Sequence, residues 1–479
     1  MNTRIMRMVL GTLSGLMLGA CALDPHATAP RTGLPERYTA DSQPLVSATA
    51  DGSAQRFALG ARAVPAWWEA YGSNALDDLV REGLDRSPSL ASARGTLKAA
   101  REGLRAQVGE SLFPQVDVGF DPSRQRALAI PVLPQQTLLY DVFALEAQGS
   151  YTFDFFGAAL HADRALAAQV DQQSFQVDAA RRDLAANIVS TTIAIAALDE
   201  EIEATTQMVA LAEQSAQQTR DRHGLGAVSR GDAHLADLDA AGQAAALPAL
   251  RAQLATLRHG QAVLLGRNPQ DAPPPLQLAD LKLPQEVPVS VPSALLGQRP
   301  DILGAAAALR AAANEADAAA AAMLPSLTLS ASYGRGGFDW GTFTSPQGAI
   351  WSVGASLTQP LFHGGALRAR KRQYQATYEA AAAQYRQTVL SAFQQVADRL
   401  ATLDEDADTL RQAERAAEAA RLADADMTLR YKLGSVPFSA TLAAGRQYQN
   451  ARVTLLRARA ARLSDTALLF QAMGDPPAT

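Results

Sequence analysis

The sequence predicts an α+β membrane protein: a trimeric 12-stranded β-barrel, four strands from each chain, continued by a long periplasmic α-helical barrel. Three observations lead there. The chain opens on a lipoprotein-type signal. One unit of helix, two strands and two long helices occurs twice. Within each unit the strand segments alternate apolar and polar residues, while the longest helices run without a breaker.

Met1–Arg7 carries Arg4 and Arg7 and no acid, Met8–Leu18 is apolar, and Leu18-Gly19-Ala20-Cys21 closes the segment. An apolar stretch this short reads as a secretory signal, too short for a permanent spanning helix. The Leu-Gly-Ala-Cys tetrad resembles a bacterial lipobox, so cleavage before Cys21 and acylation of its thiol are expected. Ala22 follows, where Asp would signal retention at the inner membrane; that favours the outer membrane. Cys21 is the single cysteine of 479 residues, so no disulfide within the chain is possible.

Removing residues 1–20 takes the formal charge from −5 to −7, which leaves no basic surface for nucleic acid. Beyond the signal no apolar run approaches twenty residues, so any crossing of a membrane has to use strands. The expected organisation is a signal peptide at 1–20, an acylated extended tether at 21–64 and a first repeat at 65–268. A Pro-rich linker at 269–298, a second repeat at 299–474 and a tail at 475–479 complete it.

The repeat is legible residue by residue. Arg222–Gly226 returns as Arg430–Gly434, Val228 as Val436 and Gly266 as Gly474, all 208 positions on. Ser87–Pro88 answers to Arg299–Pro300 and Phe113–Pro114 to Leu324–Pro325, with offsets of 212 and 211. Such self-similarity fixes architecture before any motif is weighed.

In chain order, Asn74 is placed to cap a helix through Arg86. Pro88 suits the first position of the next, which Phe113–Pro114 ends near Leu112. Period-two alternation then takes over. Val116, Val118 and Phe120 oppose Gln115, Asp117 and Asp121. After a turn at Pro131 and Pro134, Phe143, Leu145, Ala147, Tyr151, Phe153 and Phe155 oppose Glu146, Gln148, Ser150, Thr152 and Asp154. The second unit repeats this with Leu327, Leu329, Ala331 and Tyr333, then Trp351, Val353, Ala355 and Leu357. An apolar, aromatic-tipped face backed by a small polar face suits a transmembrane barrel. A half-buried sheet of a soluble sandwich would show the same alternation; strand length and the signal favour the barrel.

From Gly157 to Asp221, and again from Ala366 to Leu433, nothing breaks a helix. At about 1.5 Å per residue each would run roughly 95–100 Å. Ile188, Ile195 and Ile202 recur every seven residues, as do Val396, Leu403 and Leu410, and such seams pack helices side by side. Return helices are expected from Arg230 to Leu265 and from Phe438 to Met473, the first kinked by Pro248.

Four strands cannot close a barrel, and open edges in lipid leave backbone groups unsatisfied at several kcal/mol each. Eight strands give a barrel filled by its own side chains, whereas twelve leave a lumen. Three chains are therefore expected.

The chain resembles the TolC-type outer-membrane efflux factor family, lipoprotein (NodT) branch. The resemblance rests on the lipobox, Trp67-Trp68 followed by Leu76–Leu84, Gln298-Arg299-Pro300-Asp301-Ile302, Gln359-Pro360-Leu361-Phe362 before Gly364-Gly365, and the segments Arg222–Gly226 and Arg430–Gly434. It implies a homotrimeric outer-membrane channel for small molecules, docked through a periplasmic adaptor to a proton-driven inner-membrane pump of the resistance-nodulation-division type. It also implies that the turns between long and return helices touch the adaptor. Here those contacts would fall on Arg222, Leu225, Gly226 and Val228, and on Arg430, Leu433, Gly434 and Val436. Asp232, Asp237 and Arg446 are candidates for an aperture gate; Ala443 stands where the family commonly has an acid. A type I protein-secretion duct is the alternative. A periplasmic adaptor lipoprotein fits less well, because it has one helical hairpin rather than two.

No catalytic, metal or cofactor site is expected. His223 and His234 lack a third ligand. Gly334-Arg335-Gly336-Gly337, read as a loop between strands, precedes no helix and is not a phosphate loop. Asp404-Glu405-Asp406, read as an exposed helix face, lacks the His or Ser of a catalytic cluster.

Overall fold

The computed structural model describes residues 37–38, 46–61, 64–128 and 137–474; Cys21 and the C-terminal tail lie outside them. In chain order the elements are β1 (Arg56–Leu59), α1 (Asn74–Arg86), α2 (Pro88–Leu112), β2 (Gln115–Phe120), β3 (Ser123–Leu128), β4 (Thr137–Phe153), α3 (Ala158–Gly224), α4 (Arg230–Ala244) and α5 (Ala246–Leu264). There follow β5 (Glu286–Val289), α6 (Pro300–Ala321), β6 (Ser326–Gly337), β7 (Ala349–Thr358), α7 (Ala366–Lys432) and α8 (Phe438–Met473). Both α3 and α7 have 67 residues, and they begin 208 positions apart. The N-cap of α1 is Ser73 rather than Asn74, and its side chain makes no capping bond.

The chain divides into two compact units. The first holds residues 97–173 and 305–385 and contains one antiparallel sheet, in the order β2–β4–β6–β7, with β3 also on β4. β2 and β3 share one register against β4: Phe120 faces Leu145 and Ser123 faces Val142. They are one strand with an irregular step at Asp121-Pro122, where the Asp121 N–H still donates to the Ala144 carbonyl at 2.8 Å and proline fixes its own φ. The sequence reading missed β3, whose Ser-Arg-Gln-Arg shows no apolar alternation. It also placed Gly334–Gly337 in a loop that no helix follows, whereas a short helix, Trp340–Thr344, comes directly after them. Gly334–Gly337 are the end of β6, paired with Glu146, Leu145, Ala144 and Phe143; backbone pairing decided what side-chain pattern could not.

The second unit holds residues 37–96, 174–304 and 386–474 and is built on long helices. Their seams are buried as the heptads require. Ile188 and Ile195 of α3 and Val396, Leu403 and Leu410 of α7 are all buried, with Ile202 half-buried. Pro248 acts as expected: the first return helix breaks at Ala245, between α4 and α5, while α8 runs unbroken for 36 residues. The missing N–H of residue 248 leaves the carbonyl of residue 244 without its helical partner.

Part of the expected tether is folded into this unit. β1 pairs in parallel with β5 from the Pro-rich linker, Phe57 facing Val287, and both side chains are buried. Arg462 of α8, 1% exposed, donates to Ser47 Oγ at 3.0 Å, Gln55 Oε1 at 3.2 Å and the Ala50 carbonyl at 3.4 Å. A buried guanidinium needs such partners to offset its desolvation. Trp67 stacks on Phe470 with ring centroids 5.4 Å apart, and the Tyr71 hydroxyl donates to the Leu463 carbonyl at 2.8 Å.

Candidate functional site

Two regions carry chemistry, one in each unit. In the sheet, alternation and register together sort side chains into rows. Val118, Ala147, Tyr333 and Trp351 form one row; Val116, Gly149, Ala331 and Val353 form the next. These rows share one face, and its large members are open: Trp351 is 74% exposed and Val353 76%. A soluble domain does not leave a contiguous apolar face of this kind uncovered.

The opposite face is polar and small. Asp117, Gln148, Ser332 and Ser352 share a row, and the two serines hydrogen-bond at 2.9 Å. Thr152 and Thr328 do so at 3.0 Å. Glu146 stands between Gly119 and Gly334, so no side chain crowds its carboxylate from the adjoining strands. A wall with one apolar and one small polar face can separate lipid from water. Among the described residues, β2/β3 and β7 at either side of the sheet each have a strand neighbour on one edge only.

The second region comprises the two helix turns. α3 ends with Gly226 N–H donating to the His223 carbonyl and Ala227 N–H to the Arg222 carbonyl, both at 2.8 Å. α7 ends alike: Gly434 N–H donates to the Tyr431 carbonyl and Ser435 N–H to the Arg430 carbonyl, both at 2.9 Å. This paired pattern needs a left-handed residue at the turn, and Gly226 and Gly434 supply φ of 74° and 72°. Leu225 and Leu433, just before them, are 84% and 74% exposed. Val228 and Val436 are half-buried, while Arg222 and Arg430 are exposed, the latter paired with Asp426 at 3.0 Å. Leu235 and Leu238 extend the exposed apolar surface along α4. The sequence reading did not single them out, although their i, i+3 spacing was visible.

The expected gate residues have separate partners within the chain. Asp232 forms a capping box with Ser229: the Asp232 N–H donates to Ser229 Oγ at 3.1 Å, and Ser229 N–H donates to the carboxylate at 3.0 Å. The Ser229 hydroxyl and N–H hold that carboxyl below its usual range. Asp237 pairs with Arg220, and Arg446 with Asp239. Within one chain, then, Arg446 meets neither Asp232 nor Asp237. Asp239 was missed because sequence alone does not give the rotational phase of α4 against α8.

Three other groups have partners within the chain. His223 Nδ1 lies 3.1 Å from the Val228 carbonyl, at the first turn. Arg299 clasps Asp301 through two bonds of 3.0 and 2.6 Å and also donates to Gln395 and to the Ala472 carbonyl. Burial works to raise the Asp301 carboxyl, but these Arg299 bonds and the Ile302 N–H bring it below the usual range. Asp406 is half-buried against Asp465 rather than on an exposed face. Burial first, then the neighbouring Asp465 carboxylate, push Asp406 up to about 7 against the opposing pull of Arg462 and Arg399.

A family model described as outer membrane efflux protein matches residues 79–267 and again 291–475. The pyoverdine export outer membrane protein OpmQ of Pseudomonas aeruginosa is 27% identical over 96% of this chain and 94% of its own. Nodulation protein T of Rhizobium leguminosarum bv. viciae is 27% identical over 92% of this chain and 88% of its own. Among solved structures, the outer-membrane channel OprN superposes with a TM-score of 0.79 at 24% identity, covering 94% of this chain and 99% of that one.

Proposed function

The chain belongs to the outer membrane efflux protein family, and from that premise we propose that three copies close a twelve-stranded barrel giving small molecules a passive exit. That it is an outer-membrane efflux channel follows from the family and from relatives that serve as the outer-membrane part of efflux pumps. The trimer is our reading, and one observation carries it: the four-strand sheet has two open edges. Roughly half the polar backbone groups of β7 point away from β6, and in hydrocarbon each would cost several kcal/mol. Pairing β7 of one copy with β2/β3 of the next removes the cost, and three copies leave a lumen where two would fill it. The small polar face would then line the lumen and the apolar face would meet lipid.

The proposed partners are a periplasmic adaptor and a proton-driven inner-membrane pump. Adaptor contact is assigned to Arg222, Leu225, Gly226, Val228, Arg430, Leu433, Gly434 and Val436. The near-complete exposure of Leu225 and Leu433 supports this, since an apolar tip this open suits a docking surface. Acylation at Cys21 would anchor the chain. No chemical step is proposed; energy comes from the pump.

Purified protein added to a planar lipid bilayer tests the channel reading. Discrete conductance steps are expected. Correctly folded protein, verified by circular dichroism, that never conducts would overturn it.

A further inference from the structure

The outward face of the sheet changes chemistry at Pro122. On the first strand, every second residue reads Val116, Val118 and Phe120, then Arg124 and Arg126. The common register of β2 and β3 keeps these on one face. Contacts agree: Arg124 lies 3.7 Å from Asp141, its row partner, and Arg126 Nε donates to Thr137 Oγ1 at 3.4 Å. Arg335 shares the row of Phe120 and Leu145, its guanidinium donating to the carbonyls of Thr344 and Ser345. Among the described strand residues, three guanidiniums thus face outward with one carboxylate, Asp141, whereas Asp117 and Glu146 face the other way.

Height in the bilayer follows from strand length. Leu145–Phe153 is nine residues, about what a tilted strand needs to cross hydrocarbon. Arg124 lies four residues past Phe120, about 13 Å further along the strand, at the end opposite the long helices. With those helices in the periplasm, that end faces the cell exterior. Tyr333 and Trp351 are exposed in the row of Ala147, one row inside that end of the band, and Trp340, also exposed, packs on Phe143 just beyond it; aromatic side chains mark the edge of the lipid.

We infer that Arg124 and Arg126 form a docking surface for the phosphate groups of an outer-leaflet glycolipid. Guanidinium forks match phosphate geometry, and Arg124 keeps 70% of its side chain open despite Asp141. The aromatic row below would hold the acyl chains against the wall while the arginines hold the headgroup. Arg335 is committed to the β6–β7 connection and serves through its charge alone. This inference rests on the membrane orientation proposed above.

The test uses the full-length protein in phosphatidylcholine nanodiscs doped with bis-phosphorylated lipid A, or with the same lipid A stripped of phosphate. Bound lipid is counted by native mass spectrometry for wild type and for the double variant R124A/R126A. Phosphorylated lipid A should bind the wild type and bind the variant on the order of tenfold to thirtyfold more weakly, and the stripped lipid should bind both weakly. Equal binding by wild type and variant, or equal binding of the two lipids, overturns the inference. Planar-bilayer conductance is measured on the same samples. A wild type that does not conduct points to failure of the channel reading, whereas conducting samples with equal lipid binding defeat the headgroup site alone.

Discussion

Arg446 of the second return helix donates to the carboxylate of Asp239 on the first, joining segments 207 positions apart in the chain. The pair ties α8 to α4 beyond the helix turns. Its side chains are 33% and 46% exposed, so screening limits it to about 0–1 kcal/mol. Arg446→Ala and Asp239→Asn should each raise single-channel conductance modestly, and the double variant should add nothing further. Ala443→Asp, supplying the acid the family commonly carries, should lower it. Wild-type traces from all of these would show that the charges are only solvated helix faces.

The helix turns separate backbone from surface effects. Gly226→Ala and Gly434→Ala meet no neighbouring atoms, so their cost is the left-handed backbone alone, roughly 1–2 kcal/mol each. A lower melting temperature is expected. Leu225→Ser and Leu433→Ser should leave melting unchanged yet weaken capture of the adaptor. Undiminished adaptor binding by both leucine variants would move the docking surface elsewhere.

Asp406 gives a pH dependence whose sign follows from burial. Its carboxyl is pushed from the usual 3.8 up to about 7, so the folded protein favours its protonated form. That preference stabilises the fold fully below the unfolded value and is lost as pH rises through the folded one. Between about pH 4 and pH 7 this group should lower the melting temperature as pH rises. Asp465, Arg462 and Arg399 face it and set the size of the effect. Asp406→Asn should flatten that slope and raise stability at neutral pH; an unchanged melting profile would argue against the half-buried pair.

Cys21 governs the expected anchor. Cys21→Ser should abolish incorporation of labelled palmitate and leave the signal segment misprocessed, while the strands still insert, because an acyl anchor is small beside a barrel. Equal labelling of variant and wild type would contradict the lipobox.

The long helices were legible because nothing in residues 158–221 or 366–432 interrupts them, and Pro248 marked its own break. The sheet was legible where alternation is clean, as from Leu327 to Tyr333. It was not legible at Ser123–Leu128 or Gly334–Gly337, where ladder hydrogen bonds rather than side-chain pattern define the strand. The β1–β5 pair joins two four-residue segments 230 positions apart inside Pro-rich stretches, and no local signal announces such a partnership. The helix-turn glycines were read correctly from their spacing. The ion pairs Arg446–Asp239 and Arg220–Asp237 were not, because each depends on how one helix is rotated against another.

The open edges of β2/β3 and β7 make assembly the central claim. The most direct measurement is the native mass of the purified protein in detergent, taken on the preparation whose conductance is recorded. Three chains per conducting particle is the expected result; a monodisperse single chain that still conducts would contradict the account.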